Sequence, residues 1–293
     1  MSVAQMFEGF YGQLALAQTL RSSISTRTGR IVGRLNSDFR SLSSDTANRF
    51  YAGSYGRNTA VPGLSDIDLI YVLPYATYTQ YNAYTGNQQS SLLQAGRTSL
   101  NQTYPNSAVI ADGQIVKINF IDNITYEIVP VFPNKDGSFN YADSNNGGSW
   151  KTCKPKHEID AFYERDINSN RNLVVLGRMA RAWRDHNNVN MSGMLIDTLA
   201  FQFMADRAYK DKSYLYYDYL TRDFFSYLGQ QDRDKDYWLA PGSGSRVYFS
   251  DRELDHLLPK ELRRISPGSG DSGIAVINLR PPLEMYCSPI MQA

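Results

Sequence analysis

The sequence predicts an α/β protein of two lobes, and three observations carry that expectation. Apolar residues recur at helical spacing near the start of the chain, and the middle holds short apolar or alternating runs bounded by Pro and Gly. From Ile159 the spacing turns helical again for most of the remainder. The switch sets a lobe boundary near Trp150, giving residues 1–150 and 151–293.

Two helices are expected first, over Val3 to Leu20 and Arg27 to Phe50, with Ile31, Leu35 and Phe39 on one stripe. The polar stretch from Arg57 to Ser65 leads into "DIDLIYVLP", a strand that Pro74 closes. A Tyr- and Asn-rich span, Tyr75 to Gln89, precedes a short helix near Leu92 to Leu100. Two strands follow: "AVIADGQIVKINFID", with a turn at Asp112-Gly113, and "ITYEIVPVFP", which Pro130 and Pro133 should stop. "NKDGSFNYADSNNGGSW" is dense in turn formers and reads as a loop. The second lobe holds three helical runs, beginning "AFYERDIN", "MSGMLIDT" and "SYLYYDYL", with loops at "APGSGS" and "SPGSGDSG".

The chain has 293 residues, 42% of them hydrophobic, which is enough to bury a sizeable core. Its formal charge of +1 argues against a protein built to coat a nucleic acid, because neutralising phosphates needs a surplus of Lys and Arg. Two cysteines, Cys153 and Cys287, suggest no disulfide framework, and no apolar run approaches a membrane span. The first residues lack a basic n-region, so a cytoplasmic protein is expected.

Side chains alternate across a strand, so Asp66 and Asp68 face one way while Ile67 and Leu69 face the other. Two carboxylates held a few ångströms apart repel unless solvated or bridged by a cation. Glu127, in the later strand "TYEIVPVF", is a third acid flanked by apolar neighbours. Three such groups on adjacent strands would hold two magnesium ions for in-line attack on a nucleoside triphosphate. Gly53-Ser54 supplies a turn where backbone can approach phosphate and a hydroxyl and amide can meet an anion. Alone, a Gly-Ser pair is most often a turn and an Asp-x-Asp most often an exposed edge; their order together with the third acid is far more specific.

At these residues the chain resembles the DNA polymerase β-like nucleotidyltransferases. Within that superfamily it is similar to the bacterial CD-NTases, relatives of cyclic GMP-AMP synthase and oligoadenylate synthetase that make cyclic oligonucleotide signals. The segments "GSYGRNTAVPGLSDIDL", "YEIVPVFP", "GGSWKTCKPKH", "LGRMARAWRDHN" and "MSGMLIDTL" carry the resemblance, from about Phe50 to Leu199. It implies a mixed-sheet palm backed by N-terminal helices, a helical second lobe and a nucleotide cleft between them.

Position by position, the resemblance makes Asp66, Asp68 and Glu127 catalytic metal ligands, with Glu127 nearest the attacking ribose hydroxyl. Many members carry aspartate there. It makes Gly53 and Ser54 a triphosphate contact, makes Arg181 a phosphate-binding residue where members carry a lysine of the spine helix, its guanidinium able to clamp phosphate bidentately, and matches Ser192 to a serine at the triphosphate tail. The implied cofactor is Mg2+, with Mn2+ as a substitute. Nucleoside triphosphates are the implied substrates, joined and closed to a cyclic di- or trinucleotide with release of pyrophosphate. The implied partners are a downstream effector reached through the product and a regulatory or conjugating protein, with no membrane and no obligatory nucleic acid. Bacterial anti-phage signalling (CBASS) follows from the family alone. A linear oligonucleotide or RNA-end nucleotidyltransferase would share these motifs, and a catalytically silent nucleotide-binding scaffold is the alternative of another class.

Other signals point elsewhere. Cys153 and His157 lack a second ligand pair, which disfavours zinc. Lys151, Lys154 and Lys156 could face triphosphate or solvent. Arg21, Arg27, Arg30, Arg34 and Arg40 read better as a solvated helix face than as a nucleic-acid stripe. Tyr214, Tyr216, Tyr217 and Tyr219 fit packing in the helical lobe.

Overall fold

The computed structural model describes residues 2–232 and 234–248. The expected loop "SPGSGDSG" and Cys287 lie outside the described residues. The described residues divide into two compact units, residues 16–161 and residues 2–15 together with those from 162 to 248.

In chain order the elements are α1 (Val3–Gln13), α2 (Gln18–Arg40), β1 (Arg49–Tyr51), α3 (Gly53–Gly56), β2 (Asp66–Val72), α4 (Tyr75–Asn82), α5 (Gln88–Thr103), β3 (Ala108–Asp112), β4 (Ile115–Asn119), β5 (Thr125–Pro133), β6 (Phe139–Asp143), β7 (Ser149–Cys153), α6 (Pro155–Asn168), α7 (Asn172–His186), α8 (Gly193–Phe203), α9 (Tyr217–Gly229), β8 (Tyr237–Leu239) and β9 (Arg246–Tyr248). The fold class is the mixed α/β that the sequence predicts.

The first unit is built on a seven-stranded sheet ordered β1-β2-β5-β4-β3, with β6 joined to β5 and β7 to β6. β2 and β5 run parallel and the other pairs antiparallel, so the sheet is mixed. Ile24, Ile31 and Leu35 of α2 and Leu92, Leu93 and Leu100 of α5 pack with Ile67, Leu69, Tyr126 and Ile128 of the central strands in one buried cluster. At about 1.5–3 kcal/mol for each fully buried aliphatic side chain, this layer is the main reason β2 and β5 cannot slip.

Hydrogen bonds fix the helix to the sheet. The Tyr126 hydroxyl donates to the Ile24 carbonyl at 2.8 Å and the Tyr71 hydroxyl to Asn36 Oδ1 at 3.0 Å. Asn36 Nδ2 also donates to the Ser44 and Ala47 carbonyls, tying the end of α2 to the chain leading into β1. Burial pushes the Tyr71 phenol up to about 12.

Several boundaries differ from the sequence reading: α1 ends at Gln13 and α2 already starts at Gln18, so Leu20 belongs to the second helix, and the run expected from Ala161 is two helices, α6 and α7, parted at Asn170 and Arg171 in the left-handed region. α2 covers residues 18–40 and ends at Ser41 in the left-handed region (φ 49°), so Phe50 is in β1 rather than a helix. Pro130 does not stop β5. The β4 ladder ends at Ile128 and the β6 ladder begins at Val131, so Pro130 falls in the gap, where a missing N–H breaks no ladder on that edge. The turn-rich stretch after Pro133 holds β6 and the start of β7, whose five-residue strands are hidden among turn formers. Trp150 therefore lies inside a ladder, opposite Ala142, and the division into units falls later, within α6.

The second unit is mostly helical. Every residue of α7 from Asn172 to Arg181 is buried, and α8 and α9 pack in the same unit. α1 belongs here rather than with the sheet: Phe7 and Phe10 are buried, and Tyr11 meets Tyr217 edge-on at 5.8 Å. β8 and β9 form a small hairpin around the expected "APGSGS" loop. No helix among the described residues is long and apolar enough to cross a membrane.

Candidate active site

The Gly-Ser turn and the Asp-x-Asp strand interlock. The Ala52 N–H donates to the Asp68 carbonyl at 2.9 Å, which holds the turn against β2. Gly53 then enters the left-handed region (φ 57°), and a Cβ there would stand 1.7 Å from Asp68 Oδ2. Only glycine leaves room for the Asp68 carboxylate to lie against the backbone. The Ser54 carbonyl accepts from the Thr59 and Ala60 N–H groups at 2.9 and 3.2 Å, closing the loop that returns the chain toward β2, and Ser54 itself is half-buried.

Register does the rest. In the parallel β2–β5 pair, Asp68 is level with Glu127 and Asp66 with Thr125. Ile67, Leu69, Tyr126 and Ile128 alternate into the core cluster, so Asp66, Asp68 and Glu127 share the opposite, half-open face. Burial raises the Glu127 carboxyl above its usual range, and Asp68 and then Asp66 raise it further, with Lys117 pulling the other way. Lys117 Nζ stands 3.6 Å from Glu127 Oε1, and Ser65 Oγ donates to Asp66 Oδ2 at 2.5 Å. Among the described residues no three His, Cys, Asp or Glu side chains gather closely enough to enclose a metal ion.

The structure brings Gly53, Ser54, Asp66, Asp68 and Glu127 together in the sheet unit. Arg181 and Ser192 come together in the helical unit. Arg181 is buried, donating from Nε to Asp197 Oδ1 at 3.1 Å and from Nη2 to Asp197 Oδ2 at 2.7 Å and the Gly193 carbonyl at 2.9 Å. Its Nη1 lies 2.1 Å from where a Gly193 Cβ would be. Ser192 caps α8, its Oγ accepting from the Leu195 N–H at 3.2 Å, and is exposed.

Two residues of weight here escape a sequence reading. Asp197, with no exposed surface, sits unremarked in "MLIDTL", and its pairing with Arg181 needs the α7–α8 packing to be known. Lys117 in "IVKIN" alternates onto a polar face, but only the register with β5 shows that it stands opposite Glu127.

Several of the other basic residues have local partners. Lys151 pairs with Asp143, and Lys156 lies over the Phe50 ring at 5.0 Å. Arg27 forks onto Asp122 at 3.0 and 2.7 Å, Arg34 pairs with Asp38, and Arg40 donates to the Val72 carbonyl at 2.8 Å. Cys153 is a free thiol that burial pushes up to about 11, which suits packing rather than metal binding.

A mixed sheet that presents two aspartates and a glutamate on one half-open face, beside a glycine-serine turn packed on one of them, is the arrangement expected from the resemblance to nucleotidyltransferases. The model of the Second Messenger Oligonucleotide or Dinucleotide Synthetase domain matches residues 1–166, and the chain belongs to that family. This bears out the resemblance to the CD-NTases. Among solved structures, CdnC of Escherichia coli MS115-1, in complex with a HORMA protein, is similar at 15% identity and a TM-score of 0.64, over 87% of each chain. The CdnE cyclic dinucleotide synthase of Elizabethkingia meningoseptica, with GTP and Apcpp, is similar at 15% identity and a TM-score of 0.60, over 88% of this chain and 97% of that one. The DncV cyclic AMP-GMP synthase of Vibrio cholerae is similar at 16% identity and a TM-score of 0.60, over 88% of each chain. No curated protein matches the sequence.

Proposed function

We propose that this chain joins two or three nucleoside triphosphates and closes them to a cyclic di- or trinucleotide, with magnesium, in the cytoplasm of a bacterium answering phage infection. The observation that carries the reading is the β2–β5 register, which sets Asp68 level with Glu127 and Asp66 two residues away on the same face. The donor set suits a hard divalent cation: three carboxylates, one of them raised by burial and then by the other two. Asp66, Asp68 and Glu127 would hold it, and when bound it would supply charge neutralisation for the triphosphate and acidify the attacking hydroxyl.

The chain's own residues account for the other roles. Gly53 lets the turn approach the phosphates, and Ser54 offers them a hydroxyl and an amide. Glu127 takes the proton of the ribose hydroxyl as its oxygen bonds the α-phosphorus; the bond to pyrophosphate breaks, and the proton passes to solvent. A second attack within the linear intermediate closes the ring. In the helical unit, Arg181, held by Asp197, orders the start of α8, which Ser192 caps. That relatives were solved with GTP, with ATP and with a HORMA protein supports triphosphate substrates and a regulatory protein partner.

The test is incubation with four radiolabelled ribonucleoside triphosphates and Mg2+ or Mn2+, then phosphatase treatment and product mass determination. A phosphatase-resistant product of cyclic mass is expected. Asp66→Asn with Asp68→Asn should cut pyrophosphate release at least about a thousandfold, the scale of several kcal/mol of lost charge stabilisation, with an unchanged circular dichroism spectrum. Turnover that survives in that folded variant would falsify the assignment.

A further inference from the structure

One charge on the carboxylate face has no part in the proposed chemistry. β4 runs antiparallel along β5 with Lys117 directly opposite Glu127, and β2 runs along the other side with Asp68 at the same level. Side chains at matched positions on neighbouring strands lie on one face about 5 Å apart at Cβ. The order across the sheet is therefore Lys117, Glu127, Asp68: a cation, an anion and an anion. The 3.6 Å between Lys117 Nζ and Glu127 Oε1 is an ion pair longer than a good hydrogen bond, and both side chains are about one-third exposed, at 36% and 31%. Such a contact can be exchanged for another without stranding a buried charge.

Glu127 is thus attracted on one side and repelled on the other. This accounts for two findings at once: register puts three acids on one face, yet among the described residues no three of them gather as metal ligands.

We propose that Lys117 is a positioning residue that holds Glu127 away from Asp66 and Asp68 until a divalent cation draws it across, so that Lys117 and the cation compete for the third carboxylate. The inference rests on reading these three acids as metal ligands. In the protein free of nucleotide the ammonium keeps cation affinity low, because it neutralises one ligand and adds its own repulsion. Once Glu127 crosses, that repulsion remains while the ion pair is lost, so Lys117 tunes the amount of divalent ion needed.

The experiment is a Mn2+ titration of the full chain without nucleotide, following free Mn2+ by electron paramagnetic resonance. Wild type would be compared with Lys117→Met, Lys117→Arg and Asp68→Asn, and thermal unfolding would confirm that each variant folds, with Lys117→Gln standing in if the methionine variant does not. Removing one positive charge several ångströms from a doubly charged ion should tighten Mn2+ binding about three- to tenfold in Lys117→Met. Lys117→Arg should stay near wild type, and Asp68→Asn should bind more weakly. If Asp68→Asn weakens binding while Lys117→Met tightens nothing, the role of Lys117 is overturned and the acids keep theirs. If Asp68→Asn changes nothing, the metal-ligand reading fails and this inference fails with it.

Discussion

In the helical unit, Asp197 has no exposed surface and meets Arg181 through two hydrogen bonds of 3.1 and 2.7 Å; in the sheet unit, Glu127 keeps about a third of its exposure and meets Lys117 only at 3.6 Å, with Asp68 level with it on the next strand. Asp166 is also buried and caps α7 through the Val174 N–H at 2.9 Å, but its ion-pair partner Arg171 is exposed and stands 3.3 Å away. Opposite charges that are buried and tightly bonded hold structure in place. Like charges kept together by backbone register work against stability. The comparison separates a charge that builds the protein from charges that register sets side by side at some cost to it.

The widest gap between the two should appear on deletion. Asp197→Ala leaves Arg181 as an uncompensated buried cation and should cost about 3–5 kcal/mol in urea unfolding. Arg181→Met with Asp197→Leu, which removes both charges and keeps volume, should recover most of that loss. Glu127→Gln should be neutral or mildly stabilising in the same assay. A loss below about 1 kcal/mol in Asp197→Ala, the range of exposed pairs, would break the contrast.

A smaller effect is expected at the turn. Gly53→Ala puts a side chain into the left-handed region, at about 1–2 kcal/mol, and drives its Cβ into the Asp68 carboxylate. The unfolding midpoint should fall modestly, while displacement of Asp68 by about an ångström should lower pyrophosphate release about a hundredfold. Equal losses of stability and turnover would mean that the turn is only structural.

The sheet site was legible in the sequence because each part has a local signature. Alternation put Asp66 and Asp68 on one face, and the apolar frame around Glu127 marked its strand as central. The fold class followed from the change of period after the sheet. What stayed hidden is non-local. Register places Lys117 opposite Glu127, and no local pattern encodes register between strands joined by loops. Asp197 looks like an unremarkable residue of an apolar helix until Arg181 is seen beside it. Phe50 and Trp150 were misplaced for a related reason: strands of three and five residues between turn formers are too short to show a period, and the ladder that defines them comes from elsewhere in the chain. α1 went to the other unit because its apolar stripe says that it packs, not on what.

The smallest effect tests the electrostatics directly. Glu127 in the folded chain holds its proton more tightly than an ordinary glutamate, chiefly through burial and then through Asp68 and Asp66. A group raised in this way favours the folded state at pH below its unfolded value, and the benefit is lost as pH rises through the folded one. The stability of wild type relative to Glu127→Gln should therefore decline as pH rises above the ordinary glutamate range. Asp143 runs the opposite way: Lys151 lowers it to about 2, so its contribution is present above the ordinary aspartate range and is lost as pH falls through that value. Lys117→Met should steepen the decline at Glu127, because the charge that opposes the two aspartates is gone, and saturating Mn2+ should flatten it. A decline that neither Lys117→Met nor Mn2+ alters would mean that burial alone raises Glu127 and that register brings the three acids level without making them act on one another.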